Sequence, residues 1–204
     1  MKIYTKKGDQ GYTTLYREKK VAKNDYHIKL IGLLDELNSH IGFALSLIWE
    51  DNGRRVPQES AHWHVSKKNE ISQWIISCLR DEQKNLFELG AFLAGAPLEE
   101  QWVQSQILEL EEDIDSADAR NMPLTNFILP GGTPAASALH LARTVCRRTE
   151  REFVDTTISI FGTSREFWPK EYLGIIQYLN RLSDFLFVVA RNENGLEEII
   201  WVRE

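Results

Sequence analysis

The chain has 204 residues, 43% of them hydrophobic and 26% charged, with a formal net charge of −6 at pH 7. That length and balance suit a single globular domain (residues 1–204) with ample chain for a core. A net acidic protein is a poor match for a polyanionic backbone, so nucleic acid is not expected as a partner. The two cysteines, Cys78 and Cys146, sit in apolar helical patterns, which fits small buried groups and a reducing compartment. Residues 1–15 hold no apolar h-region and no Arg/Ser-rich presequence, and no run reads as membrane-spanning, so a cytoplasmic location without membrane contact is expected.

In chain order, Tyr4-Thr5 and Thr13-Thr14-Leu15 flank Lys6-Lys7-Gly8-Asp9-Gln10-Gly11, a turn whose glycines can take positive φ. It reads either as a plain surface hairpin or as a cradle of backbone N–H groups for phosphate, helped by lysines and threonine hydroxyls. It is not a Walker A loop, because GxxxxGK[ST] occurs nowhere in the chain. A helix is expected from about Tyr26 to Trp49, its core stripe running from Leu30 through Leu34, Leu37, Ile41 and Ala44 to Ile48. Asp35, Asn38 and Gly42 fall on a second flank, suited to close packing or to solvent.

Asp51–Lys68 is polar and reads as a loop. Its His62-Trp63-His64 and the Glu59…His62 spacing suggest half of a di-iron site, but no second Glu-x-x-His exists to complete one. Asn69–Ala94 has the apolar spacing of a long helix, stopped by Gly95-Ala96-Pro97. Another is expected from about Leu98 to Asp118, with Val103, Ile107, Leu110, Ile114 and Ala117 as its seam. Its acidic run from Glu109 to Asp113 reads as a solvated face.

Phe127–Arg151 is the stretch richest in chemistry. A short apolar run breaks at Pro130-Gly131-Gly132, and Thr133 then sits at an N-cap with Pro134 at the first helical position. The expected helix divides into two faces at 100° per residue. Ala135, Ala138, Leu139, Ala142, Val145, Cys146, Thr149 and Phe153 form the apolar one. His140, Arg143, Arg147, Glu150 and Arg151 fall on the other. Stacked arginines repel each other. They are either a solvated face paired with neighbouring acids or an anion site, since a guanidinium offers a planar fork of donors matched to phosphate.

Val154–Trp168 reads as a loop or a helix extension. Pro169 opens a last helix to about Arg191, in which Gln177, Asn180, Asp184 and Arg191 share a face in apolar surroundings, as structural tethers or ligand contacts. Together these segments predict an all-α protein: an antiparallel bundle of about five helices, preceded by a non-helical N-terminal loop.

Four motifs in order, IYTKKGDQGYTTL (Ile3–Leu15), Asp35-Glu36-Leu37-Asn38, FILPGGTPAASALHLARTVCRRTER and YLNRLSDFLF (Tyr178–Phe187), make the chain resemble the PduO-type ATP:cob(I)alamin adenosyltransferases over nearly its whole length. The resemblance implies a homotrimeric helical bundle with active sites between subunits. It implies ATP, with Mg²⁺, held by Thr5, Lys6, Lys7, Gly8, Thr13, Thr14, Lys23, Arg147, Arg148, Thr149, Glu150, Arg151 and Asn180. It pairs Asp35 with Arg143 as a salt bridge across the subunit interface, and it lays Phe127 against the corrin, crowding the lower face of cobalt. Position 7 is Lys where the family usually has Thr; a lysine there can still meet a phosphate.

The implied reaction is attack of Co(I) of a corrinoid on C5′ of ATP, giving adenosylcobalamin and triphosphate. The cofactor-like substrate supplies the nucleophile, which agrees with a sequence lacking a triad, a P-loop or a zinc signature. Arg147, Glu150 and Phe127 are the residues expected closest to the chemistry, and a reductase or a B12-dependent enzyme is an expected further partner. Two rival readings are a non-catalytic ATP- or corrinoid-sensing bundle and an ATP hydrolase or kinase-like enzyme, the latter short of phosphoryl-transfer motifs.

Overall fold

Five amphipathic segments form five helices: α1 (Tyr26–Asp51), α2 (Lys67–Leu93), α3 (Glu100–Asp118), α4 (Pro134–Phe161) and α5 (Lys170–Asn194). They are preceded by a two-stranded antiparallel hairpin, β1 (Tyr12–Thr14) with β2 (Lys20–Ala22), in which Thr14 lies opposite Lys20. The structure, a computed structural model, describes residue 4 and residues 6–51, 67–195 and 199–202. Thr5, Glu59, His62 and His64 lie outside the described residues.

Local chemistry sets the helix ends. The Asp25 carboxylate accepts from the His27 backbone N–H at 2.9 Å at the start of α1. Thr133 caps α4, its hydroxyl oxygen accepting from the Ala136 N–H at 3.1 Å, with Pro134 in the first turn. Val154–Phe161 is a helix extension: α4 runs on until Gly162, at φ +82°, ends it.

The helices alternate in direction. Tyr172 of α5 packs edge-on against both Phe92 and Phe161, with ring centroids 5.8 and 5.3 Å away. These contacts bring the start of α5 to the ends of α2 and α4. At the far end of α5, Asn192 donates to the Ala117 carbonyl and Asn194 to the Gly131 carbonyl. The N-terminal hairpin is fastened to the first end, where the Tyr16 N–H donates to the Ala94 carbonyl at 3.0 Å.

Buried apolar side chains of all five helices form one cluster. Every residue of the expected α4 apolar face is buried, and each large one contributes about 1.5–3 kcal/mol. His140 is the exception to the two-face reading: it is 4% exposed, its ring beside Phe187. The cause is that α4 packs against α1 as well as α5, so its buried arc exceeds half the helix. Asn38 is likewise buried and tethers α1 to α2, donating to the Gln83 carbonyl and accepting from the Gln83 amide. On α5, Asp184 and Gln177 are exposed, not set in apolar surroundings. α5 is also long and apolar enough to cross a membrane by length and composition, unlike the sequence expectation, with a window of mean hydropathy 1.2. That window is 61% buried among the other helices, which accounts for its character.

A polar knot sits inside the bundle. Glu82 of α2 accepts from the Tyr178 hydroxyl of α5, and Asn85 donates to Gln106 of α3 at 2.8 Å. Burial pushes the Glu82 carboxyl up to about 7, opposed in part by the hydrogen bonds from Tyr178 and Asn85. Folded Glu82 therefore keeps its proton up to about pH 7, whereas an unfolded glutamate releases it near 4.5. Between those values the folded state binds more protons, so stability falls as pH rises through the window. Asp113, also pushed up by burial, adds to the same sign of slope. Glu82→Gln should flatten the profile by on the order of 2–3 kcal/mol across that window, measured by urea unfolding at several pH values. An unchanged slope would contradict a protonated Glu82.

Candidate active site

At the N-terminal end, the loop before β1 folds back through two tight turns, with Asp9 N–H on the Lys6 carbonyl and Gly11 N–H on the Gly8 carbonyl. Gly8 packs close to Lys23: a Cβ there would stand 3.1 Å from Lys23 Nζ. Lys7, Gly8, Tyr12, Thr13, Thr14, Lys20 and Lys23 line a cavity of about 680 Å³. Three lysines, two threonines and a tyrosine bring ammonium and hydroxyl groups to its lining, with no carboxylate there among the described residues, so it suits a polyanion. The hairpin brings Lys7, Gly8, Thr13, Thr14 and Lys23 together; Lys6 is exposed near them at φ +59°. Lys20 and Tyr12 were not expected. Strand register could have found them, because Lys20 lies opposite Thr14, and its ammonium sits 4.7 Å from the Tyr12 ring centroid.

On α4 the cationic residues separate. Arg147 and Arg151 are exposed, one turn apart, and Arg151 donates back to the Arg147 carbonyl at 3.1 Å. Arg148 points instead towards α1, where it pairs with Glu36 at 2.5 Å. Thr149 does not face the arginines: it is fully buried and gives its hydroxyl hydrogen to the Val145 carbonyl, so contact with a nucleotide does not fit its placement. Glu150 is half-buried and accepts from the Asn180 amide at 3.4 Å, which joins the α5 motif to the α4 stripe. Arg143 is half-buried, its guanidinium affinity for the proton lowered by burial and then by Arg147. Its Nε is enclosed with no hydrogen-bond partner among the described residues. Asp35 is exposed on α1, and among the described residues no ion pair joins it to Arg143.

At the opposite end lies Phe127, 79% exposed. Its segment is held by two backbone hydrogen bonds to the C-terminal tail, Trp201 N–H to the Phe127 carbonyl and Leu129 N–H to the Ile199 carbonyl, both 2.8 Å. The Trp201 ring meets Phe127 edge-on at 6.4 Å, and with Leu124, Thr125, Asn126 and Val202 they line a mostly apolar hollow of about 550 Å³. A large aromatic in the open is costly unless something covers it. Trp201 and Val202 were missed because a few residues after a helix stop carry no periodic signal; the pairing that places them is long-range.

The polyanion cavity and the aromatic hollow lie at opposite ends of the bundle. The hairpin attaches near Ala94 and Tyr172, while Phe127 belongs to the end marked by Asn194. From Tyr172 to Asn194, α5 rises about 33 Å.

Residues 3–193 match the cobalamin adenosyltransferase family. The chain is 35% identical to human corrinoid adenosyltransferase MMAB over 99% of its own length and 74% of that protein. It is 34% identical to a cobalamin adenosyltransferase of Cupriavidus metallidurans, covering 95% of it. A Lactobacillus reuteri PduO-type ATP:corrinoid adenosyltransferase variant, solved in complex with cobalamin and ATP, superposes with a TM-score of 0.74 at 32% identity, over 99% of this chain and all of that one.

Backbone chemistry at the turn before α4 makes one prediction. Gly132 has φ +106°, and an added Cβ would stand 2.1 Å from Asn194 Oδ1. Gly132→Ala should cost roughly 2–4 kcal/mol in urea unfolding, from strain plus overlap. Wild-type stability in that variant would refute the tight apposition of turn and α5.

Proposed function

The chain belongs to the cobalamin adenosyltransferase family, and from that premise we propose that each of its active sites is built by two copies of the chain. The protein is an ATP:corrinoid adenosyltransferase. It transfers the 5′-deoxyadenosyl group of ATP to Co(I) of a corrinoid: a cobalt–carbon bond forms to C5′, the C5′–oxygen bond breaks, and triphosphate leaves.

The observation that carries the two-copy site is the separation of its parts. Cobalt and C5′ must meet within bonding distance, yet the lysine-lined cavity and the Phe127 hollow of one chain are attached at opposite ends of the bundle. The N-terminal cradle of one copy, laid against the α4 stripe of the next, sets its lysines beside Arg147 and Arg151 and nearer to that copy's Phe127 loop. Asp35, exposed on α1, then supplies a carboxylate to the enclosed Arg143, whose Nε has no partner among the described residues. A homotrimer is the assembly proposed, and a cytoplasmic location with a reductase or B12-dependent enzyme as partner accompanies it.

In this arrangement the ammonium groups of Lys7, Lys20 and Lys23, with the Thr13 and Thr14 hydroxyls, hold the polyphosphate. Arg147 and Arg151 meet the charge that develops as triphosphate leaves. Among the described residues, no group of three or more His, Cys, Asp or Glu side chains is set to hold a metal ion. Mg²⁺ would arrive on the nucleotide and keep most of its waters, since such an ion needs few protein ligands. Glu150, held by Asn180, is the carboxylate placed to order its water shell or Arg147. Phe127 and Trp201 form an apolar wall for the corrin that keeps water from the lower face of cobalt. Cobalt(II) is hard to reduce while it keeps an axial ligand, so this wall serves the reduction that precedes transfer.

Two variants separate these roles. Arg147→Ala should lower kcat/KM for ATP by roughly 100-fold, whichever cobalt oxidation state the assay starts from. Phe127→Ala should keep ATP affinity and lose at least about ten-fold more rate from cobalt(II) than from prereduced cobalt(I). Equal losses in both assays would remove Phe127 from the reduction step, and an unaffected Arg147→Ala would remove the arginine stripe from catalysis. For the interface, Asp35→Arg combined with Arg143→Asp should recover more assembly and activity than either single reversal, read by sedimentation and turnover. No recovery would contradict the bridge.

A further inference from the structure

The loop that carries Phe127 is long, exposed and nearly free of regular structure, which is an unusual support for a side chain asked to hold a fixed position. Residues 119–133 join α3 to α4, and those from Met122 to Phe127 are all exposed. Besides the two backbone hydrogen bonds that pair Phe127 and Leu129 with Trp201 and Ile199, it has side-chain anchors at its two ends, both from the last turn of α5. At the near end, Arg191, only 2% exposed, donates through Nη2 to the Met122 carbonyl at 2.6 Å and lies 3.5 Å from Asp118. At the far end, Asn194, 6% exposed, holds both sides of the Gly131-Gly132 turn. Its Oδ1 accepts from the Thr133 N–H at 2.9 Å, and its Nδ2 donates to the Gly131 carbonyl at 2.8 Å.

Each of these bonds satisfies a loop backbone group that the fold would otherwise bury or leave unpaired. The Asn194 amide uses donor and acceptor together, so it fixes the orientation of the turn as well as its distance from α5. Gly132 has no side chain where Asn194 packs, which lets the turn close directly on the amide. The loop is thus an arch with both feet on one rigid helix and Phe127 near its crown, where Ile199 and Trp201 pair with it.

We propose that Asn194, with Arg191 at the other foot, is a positioning residue for Phe127, setting the ring against the corrin without itself touching either substrate. The proposal rests on the reading of Phe127 given above. The same helix also bears Asn180, which orders Glu150 by the nucleotide. α5 therefore indexes the corrin wall and the triphosphate side of its own chain to one rigid body.

The test uses the full-length protein and three variants: Asn194→Ala, Asn194→Asp and Phe127→Ala, with the Asn194→Ala/Phe127→Ala double. Amide hydrogen exchange on the ligand-free protein reads the arch directly. Adenosylation is then measured from cobalt(II) with a reductant and from prereduced cobalt(I), alongside ATP affinity. Asn194→Ala should speed exchange at residues 127–133 while the centre of α4 stays protected. It should lose roughly ten-fold or more rate from cobalt(II) with a much smaller loss from cobalt(I), and ATP affinity within about two-fold of wild type. Asn194→Asp, which keeps the acceptor for the Thr133 N–H beside a helix N-terminus, should recover part of both. The double variant should be no worse than Phe127→Ala alone, since both changes act through one ring.

An arch that stays protected in Asn194→Ala overturns the proposal whatever Phe127 does. So does a loosened arch with equal losses in both assays, or additive losses in the double variant, because those mark a general structural role. If Phe127→Ala itself shows no selective loss, the corrin reading fails and takes the positioning role with it; exchange then separates that failure from a mistaken geometry.

Discussion

The close antiparallel packing of α4 on α5 is the constraint on which the rest depends. It is made possible by small residues, with Ala135, Ala138 and Ala142 buried along the contact face and the Cys146 thiol donating to the Leu179 carbonyl at 3.2 Å. α1 occupies a second side of α4, so only a narrow strip of that helix remains outside. Arg147 and Arg151 sit on that strip, while Thr149, His140 and most of Arg143 are drawn inward. The cationic stripe is narrow because packing leaves no room for a broader one. The same contact brings the end of α5 beside the beginning of α4, which is how one turn of helix comes to hold both feet of the Phe127 arch.

An enzyme of this kind needs little covalent chemistry from its own side chains, because the reduced corrinoid supplies the nucleophile. What the fold must supply is placement. A rigid bundle with a polyanion cradle at one end and an aromatic wall at the other does that poorly as a single chain, which is the reason for proposing a site shared between copies. The enclosed Arg143 Nε points the same way, since a buried donor without an acceptor is costly and a second copy can provide one.

Much of this was legible in the sequence, for identifiable reasons. Long 3.6-residue periodicities announced the helices, and Thr133-Pro134 marked the start of α4 because caps and first-turn prolines act locally. Lys7, Gly8, Thr13 and Thr14 of the lysine cradle could be named because they follow one another within a single hairpin, whereas Lys20 and Tyr12 needed the strand register. Three things were not legible. The inward turn of His140 depends on a second helix lying over α4, which no single-helix wheel contains. Trp201 and Val202 join Phe127 through pairing across some seventy residues of chain. Asn194 falls past the expected end of the last helix near Arg191, and its double hydrogen bond to the Gly131-Gly132 turn exists only once α5 and α4 are side by side.

The central claim is that this chain makes a cobalt–carbon bond at the expense of ATP. Anaerobic incubation with chemically reduced cobalamin and Mg·ATP, followed by identification of both products, tests it most directly. The account predicts adenosylcobalamin and triphosphate in equal amounts. ATP and corrinoid bound without a cobalt–carbon bond, or ATP converted to ADP and phosphate, would contradict it.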